Sequence, residues 1–417
     1  MKNILVVRPS KQDQRELSQF SDRYNFIYHT YTQQEADEIF YQPTSNLCRC
    51  VDELVELYRS KKIDGVLYAT DYIGTALGAI VAQKLGLTGP DPATILLCQH
   101  KYESRNAQKE HVPESVADYF SFDIRDFKNA FTQAQFPLFI KPIKSVFSIN
   151  ASQVNSLADV EHAINNREFD EYPHLFEQFI KYYTSYSYDP YHFIAESLLQ
   201  GSQCTLEGFC HNGQVTILGI VDSIMYPGTI SFQRFEYPSS LPMAAQERMG
   251  VITRRFIAGV GLDNSFFNIE FMYNPQMESI HIIEVNPRIA SQFSDLYEKI
   301  DGKNSYELLI ELVTGQQPVI LLLQGSYRVA ASFVLRVFAD HRVEKIPTSD
   351  QIALFHRLFP AARFEVCCSE GEKLSSCMQD GKSYRYGLMH LGAQSWQELY
   401  TSFEEAKKIL KFNLEPV

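Results

Sequence analysis

The stretch Phe266 to Ala290, FFNIEFMYNPQMESIHIIEVNPRIA, sets two carboxylates (Glu270, Glu284), two amides (Asn268, Asn286) and Arg288 among Phe, Ile and Val. It reads as two strands joined by a turn at Asn274-Pro275. Residues two apart in a strand share a face, so Asn268 and Glu270 point the same way, as do Glu284 and Asn286. If Glu270 lies opposite Glu284, the same antiparallel register puts Asn268 opposite Asn286. Two carboxylates that close repel each other and raise each other's pKa unless a cation sits between them. A hard divalent ion such as Mg²⁺ takes carboxylate and amide oxygens and keeps positions open for phosphate oxygens. Arg288, just past the second strand, suits a bidentate grip on a phosphate or a carboxylate. Glu270 or Glu284 alone reads as an ordinary solvent-facing strand residue; the whole constellation reads as a site.

Elements that would position this hairpin lie on both sides of it. Residues 1–90 alternate strands (NILVV, IDGVLYAT) with helices (DELVELYRSKK, IGTALGAIVAQKLGL), which predicts a parallel α/β sheet. No GxGxxG follows the first strand, so nothing there supports dinucleotide binding. GPDPATILLCQHKYESRNAQKEHVP predicts a helix started by Pro and Asp and stopped at Pro113. FPLFIKP is a strand ending near Lys141, and SLADVEHAI a helix with a Ser N-cap. After residue 191 strands dominate, with a turn at His211-Asn212-Gly213, followed by helices at AAQERMGVITRRFIAGVGL and NSYELLIELVTG. The tail from residue 321 reads as α+β, with strands at RVAASFVLRVF and RFEVCC and a helix at SWQELYTSFEEAKKIL.

Length and composition bound the class. A chain of 417 residues, 45% hydrophobic and 21% charged, has the make-up of a globular protein with two to four domains. A net charge of −12 argues against a nucleic-acid or anionic-membrane binder, while leaving room for a local phosphate site. No apolar run approaches 18 residues, and MKNILVVRPS is too short in its apolar part for a signal peptide. The eight cysteines contain no CxxC pair, which fits free thiols in a reducing cytoplasm.

With these motifs in hand, the sequence resembles the ATP-grasp superfamily and, within it, the carboxylate–amine ligases, the branch of L-amino acid ligases and biotin-carboxylase-like enzymes. IEVNPR looks like that superfamily's signature and FFNIEF like its partner strand. LGLTGPDPATILLCQHKYESRNAQKEHVP resembles the segment supplying a first ATP-contacting lysine, here Lys101, and FPLFIKP the strand supplying a second, Lys141. FIAESLLQGSQCTLEGF resembles the hinge between two lobes. The resemblance spans about residues 60–320.

It implies an ATP-grasp fold, mixed α/β and α+β, with an N-terminal Rossmann-like parallel α/β domain and a C-terminal α+β cap. The expected divisions are 1–95 (N-terminal domain), 96–193 (first lobe), 194–320 (second lobe with the metal site) and 321–417 (C-terminal domain). It further implies that Lys101 and Lys141 neutralise ATP phosphates as compact point charges. Glu196, Ser197, Leu198 and Leu199 would meet the adenine, Gln203 the ribose, and Glu270, Glu284 and Asn286 would hold Mg²⁺, with Mn²⁺ as a substitute. Arg288 would bind the acyl phosphate or the substrate carboxylate, with Lys141 beside it in the catalytic step.

The implied activity is ADP-forming C–N ligation in the cytoplasm. A small carboxylate such as an amino acid would be activated as an acyl phosphate and joined to an amine, without nucleic-acid or membrane partners and with the oligomeric state open, a homodimer being one option. Relatives carry a glycine-rich, serine-containing loop after the second lysine, whereas KPIKSVFSINASQV (Lys141 to Val154) has no glycine. Lys144, Ser145 and Ser148 are the residues placed to replace its contacts. That departure keeps two rivals in view: a nucleotide-binding module without turnover, and a bicarbonate-using, carboxylase-like enzyme. Two further segments are candidates for the acceptor pocket, TISFQRFEYPSS through Arg234 and Glu236, and DGKSYRYG; both also read as a plain surface loop and a plain turn-and-strand.

Overall fold

The computed structural model describes residues 1–31, 46–71, 73–145, 149–167, 172–376 and 383–417. Near the N-terminus, β1 (Lys2–Val7), β2 (Tyr24–His29) and β3 (Gly65–Leu67) form a parallel sheet in the order β2-β1-β3. Ile4 to Val7 are buried on consecutive positions, the pattern of a strand covered on both faces. Helices Leu47–Arg59 and Gly74–Lys84 supply cover on one side. Helix Ser305–Val313 packs against the other, with Leu309 and Val313 beside Ile4 and Val6.

A second sheet, antiparallel in the order β4-β7-β5-β6, is built from β4 (Tyr119–Asp123), β5 (Leu138–Pro142), β6 (Ser152–Val154) and β7 (His192–Ser197). One face packs Phe122, Leu138, Ile140 and Phe193 onto Val160 and Ile164 of helix Leu157–Asn165, whose N-cap Ser156 accepts from Asp159 N–H as its sequence predicts. Because β7 pairs with β4 and β5, the change of sheet falls after Ser197.

The third sheet carries the hairpin. It comprises β8 (Ser202–His211), β9 (Gln214–Met225), β10 (Phe232–Tyr237), β11 (Ser265–Asn274), β12 (Ser279–Asn286), β13 (Val329–Val337), β15 (Arg363–Val366) and β16 (Tyr384–Ala393). Their order is β12-β11-β8-β9-β10-β13-β16-β15. β8 and β9 turn through Asn212 and Gly213, both at positive φ (51° and 76°), a two-residue turn matching the expectation at that tripeptide. Cys204, Leu206, Phe267, Ile269 and Phe271 alternate onto one face and bury Met249, Ile252, Phe256 and Ile257 of helix Met243–Val260. A slip of one residue would turn this apolar set into water, so burial on the back fixes what the front presents.

The tail does not build a separate main sheet. β10 pairs with β13, so the sheet runs on from the hairpin into residues 321–417, while β14 (His341–Lys345) and β17 (Asn413–Pro416) form a small ribbon of their own. An ion-pair cluster ties the parts together: Arg363 reaches Glu16, Asp295 and Glu298, and Asp295 holds Lys299 at 2.7 Å. Helix Ser294–Asp301, absent from the sequence-based expectations, carries much of this cluster. No helix among the described residues is long and apolar enough to cross a membrane, and the described cysteines (48, 50, 98, 204, 210, 367 and 368) are free thiols.

Candidate functional site

The hairpin register at the site is the expected one: Asn268 pairs with Asn286 and Glu270 with Glu284. The turn follows Asn274, whose side chain accepts from Gln276 and Met277 N–H. A bulge after Glu270 shifts the register only beyond the site, bringing Phe271 opposite Ile282. On the neighbouring strand Glu207 lies beside Asn268 and Thr205 beside Glu270, so one polar face spans three strands.

Lys101 reaches this face because the predicted long helix breaks. His100 is extended (φ −89°, ψ 98°) and separates helix Pro92–Gln99 from helix Lys101–His111, with its Nδ1 accepting from Glu103 N–H at 3.1 Å as an N-cap. Lys101 thereby opens a helix, the end that favours anions. Its Nζ lies 3.1 Å from Glu284 Oε1 and donates to Ser145 O at 3.3 Å. One turn on, Arg105 donates to Glu196 Oε1 (2.8 Å), Gln108 Oε1 (2.6 Å) and Ile283 O (2.7 Å), joining helix, hinge strand and hairpin. Lys141 Nζ takes the other Glu196 oxygen at 2.9 Å. Cys98, Lys101, Arg105, Lys141, Ile283 and Glu284 line the cleft between them.

On the far side, Arg288 donates through Nη2 to Asp71 Oδ2 at 2.9 Å, just beyond β3 of the parallel sheet. Gln203 Nε2 donates to Glu270 Oε2 at 2.9 Å, so the residue assigned to ribose touches a hairpin carboxylate. Ser197 bonds back to Asp118 O, while Leu198 and Leu199 lie half-buried in the link to β8. Ser145 Oγ donates to Ile149 O at 3.0 Å; Ser148 lies outside the described residues.

The charges respond to burial and to one another. Burial and the facing Glu284 push Glu270 up to about 7. Burial presses on Glu284 as well, but Lys101 and Lys141 hold it below its ordinary value. Burial outweighs Glu196 and lowers Lys141, and it brings Lys144 down to about 8 against the pull of Asp71. For Glu196, Arg105 and Lys141 overcome burial and keep the carboxylate ionised. A divalent cation between Glu270 and Glu284 would remove the repulsion that raises Glu270. The all-oxygen donor set, carboxylates with the Asn268 and Asn286 amides, fits Mg²⁺.

Residues 134–295 match the family described as "ATP-grasp domain". The chain carries an ATP-grasp domain. Solved structures similar to this chain along its whole length include an L-amino acid ligase from Bacillus licheniformis (TM-score 0.74, 15% identity, 99% of this chain and 98% of that one). A carboxyaminoimidazole ribonucleotide synthase from Aspergillus clavatus, complexed with ATP, has a TM-score of 0.69 at 14% identity over 98% of each chain. A biotin carboxylase from Campylobacter jejuni has 0.68 at 13% identity, covering 99% of this chain and 92% of that one.

Within the ATP-grasp fold the structure brings Lys101, Lys141, Glu196, Gln203, Glu270, Glu284, Asn286 and Arg288 into one region. It sets apart the pair considered for the acceptor pocket. Phe235 pairs with Ser223, in register with Gln203, and packs under Phe293, whereas Arg234 and Glu236 alternate to the opposite face and meet Tyr400 of helix Trp396–Ile409. Of DGKSYRYG, residues 380–382 lie outside the described residues and Tyr384 to Gly387 begin β16 between β13 and β15. Sequence reasoning missed Arg105 and Asp71. Arg105 had a signal, one helical turn from Lys101; Asp71 had only its place at the carboxyl end of a parallel strand.

Proposed function

We propose that this ATP-grasp protein is an ATP- and Mg²⁺-dependent carboxylate–amine ligase that forms a C–N bond and releases ADP and phosphate. The observation that carries the reading is the register of Glu270 against Glu284 with Lys101, Lys141 and Arg288 converging on it. In this reading the chain divides near residues 95, 193 and 320, with ATP held between the second and third of these parts.

Lys101 and Lys141 neutralise phosphate oxygens, and the link Ser197–Leu199 borders the adenine. Glu270, Glu284 and Asn286 hold Mg²⁺, which supplies charge stabilisation for phosphoryl transfer when bound. Arg288 holds the carboxylate, and then the acyl phosphate, in a two-pronged grip. The carboxylate oxygen attacks the γ-phosphorus and ADP leaves; the amine nitrogen, as its free base, then attacks the acyl carbon, and phosphate leaves carrying the proton that the nitrogen loses. Positioning and electrostatics carry both steps. Glu196 serves chiefly to fix Lys141 and Arg105, since both of its oxygens are engaged. The free thiols and the acidic charge support a cytoplasmic protein acting on small molecules.

Phosphate release from Mg²⁺-ATP, measured with pooled amino acids and other small carboxylates and amines, tests the reading. Release that needs both a carboxylate and an amine supports it. Release stimulated by bicarbonate alone would favour a carboxylase-like enzyme. The glycine-free stretch after Lys141 favours a second reading, a nucleotide-binding module; Mg²⁺-ATP that raises the melting temperature without turnover on any pool would establish it.

A further inference from the structure

We infer that Asp71 is the subsite for the ammonium group of the acceptor, so that the amine substrate is recognised by the N-terminal parallel domain. This rests on the ligase reading above and names the acceptor chemistry that reading leaves open.

Three observations carry it. The first is place. Asp71 stands past the carboxyl end of β3, where open α/β sheets present ligand-binding groups. From there it crosses to the hairpin: Oδ2 is 2.9 Å from Arg288 Nη2, and its charge is felt by Glu270, Glu284, Lys101 and Lys144. A group touching the guanidinium that holds the acyl unit lies beside the carbon the amine must reach, and the proton the bound ammonium gives up before it attacks passes to an oxygen of the acyl phosphate.

The second is availability. Glu196 is buried with one oxygen on Arg105 and the other on Lys141. Glu270 and Glu284 face each other across the hairpin and are committed to the metal in the ligase reading. Asp71 keeps a side chain 35% exposed, and its Oδ1 accepts no hydrogen bond from any described residue. An ammonium on Oδ1 therefore leaves the Oδ2–Arg288 contact intact.

The third is sign. Oδ1 can only accept, so it pairs with an ammonium and disfavours an anion placed directly on it, while Arg288, Lys101 and Lys144 balance the charge of the carboxylate as a whole. The acceptor class is thus a primary ammonium compound, an amino acid or a polyamine, rather than an alcohol, a thiol or bicarbonate.

Asp71→Asn keeps an oxygen for Arg288 and removes the charge. The test compares two nucleophiles in wild type and variant: an ammonium-bearing acceptor, followed by phosphate release, and hydroxylamine, a small nucleophile that is largely uncharged at neutral pH and traps the acyl phosphate as a hydroxamate. The expected result is a KM for the ammonium acceptor raised about 10- to 100-fold, the loss of one charge-assisted hydrogen bond. Hydroxamate formation should stay within about 3-fold of wild type, with Asp71→Glu recovering part of the acceptor affinity. Equal losses with both nucleophiles would overturn the assignment and make Asp71 a positioning residue for Arg288. An unchanged KM would overturn it as well. Wild-type protein that forms no hydroxamate with any carboxylate would overturn the ligase reading itself, an outcome visible without the variant.

Discussion

Lys101 Nζ stands 3.1 Å from Glu284 Oε1, so the lysine that opens its helix and the second hairpin carboxylate neutralise each other across two separate elements. The other site cations are likewise engaged, Lys141 with Glu196 and Arg288 with Asp71. The site is held by its own ion pairs. In the proposed reading, substrate binding would be an exchange of partners, with Lys101 turning to the phosphates and Glu284 to the metal it would hold. Such exchange costs less than exposing buried charges to no partner at all.

Glu270→Gln and Glu284→Gln each remove one carboxylate from the facing pair. Phosphate release should fall at least about 100-fold in either variant, the scale of losing a charge-stabilising group. Glu270→Gln should also leave the ligand-free protein at least as stable as wild type, since burial and Glu284 already disfavour its charge. Activity assays beside thermal melts check both; a fully active variant would sink the metal assignment.

Arg105→Met strands Glu196. Both side chains are buried, and the arginine carries three hydrogen bonds to three different elements. Breaking a buried pair from one side costs about 3–5 kcal/mol. Urea unfolding should show that loss, with Arg105→Lys intermediate because an ammonium cannot reproduce the planar fork.

Glu207 gives a pH signature. It is fully buried, accepts from Ala290 N–H at 2.6 Å and sits beside the Tyr297 hydroxyl; burial pushes its carboxyl up to about 8 from an ordinary 4.5. A raised carboxyl favours the folded state below about pH 4.5, and that contribution is lost as pH rises through about 8. Glu207→Gln keeps the acceptor for Ala290 and has no proton to lose. It should therefore gain about 1–3 kcal/mol over wild type at pH 8–9, shrinking toward pH 5. Melting curves across that range decide it; a difference independent of pH would refute the assignment.

Gly201→Ala tests the link between the second and third sheets. Gly201 adopts φ +136°, and a Cβ there would meet Tyr273 O at 2.1 Å. Strain and clash together should cost about 2–4 kcal/mol. The variant should melt lower and bind ATP more weakly, because β8 and β11 would have to separate beside the site. An unchanged melting temperature would show that the link relaxes freely.

Local signals made much of this legible beforehand. The two-residue turn at Asn212-Gly213, the Ser156 cap and the period-two alternation of β11 and β12 are short-range features, and the hairpin register was open to a guess from the numbering, conditional on Glu270 facing Glu284. The break at His100 was not legible, because Pro92 to His111 is helix-compatible throughout and a histidine cap carries no strong sequence mark. Helix Ser294–Asp301 was missed because its buried residues include Asp295, Lys299 and Asp301, whose burial depends on partners such as Arg363 and Tyr237 from distant segments. The Arg234–Glu236 pair was left open between pocket and surface because strand parity alone does not say which face of a sheet meets the ligand.

By itself the sequence determined which residues share a face and which faces are apolar, hence the carboxylate-and-amide face of each hairpin strand, the lysine-bearing strand and the alternating elements of the N-terminal domain. These depend on the fixed periods of strand and helix. Only the tertiary structure decided which distant charges meet: Lys101 with Glu284, Arg105 with Glu196, and Asp71 with Arg288. Those pairings depend on how separate sheets and helices pack, and packing is set by the whole apolar core rather than by any local spacing.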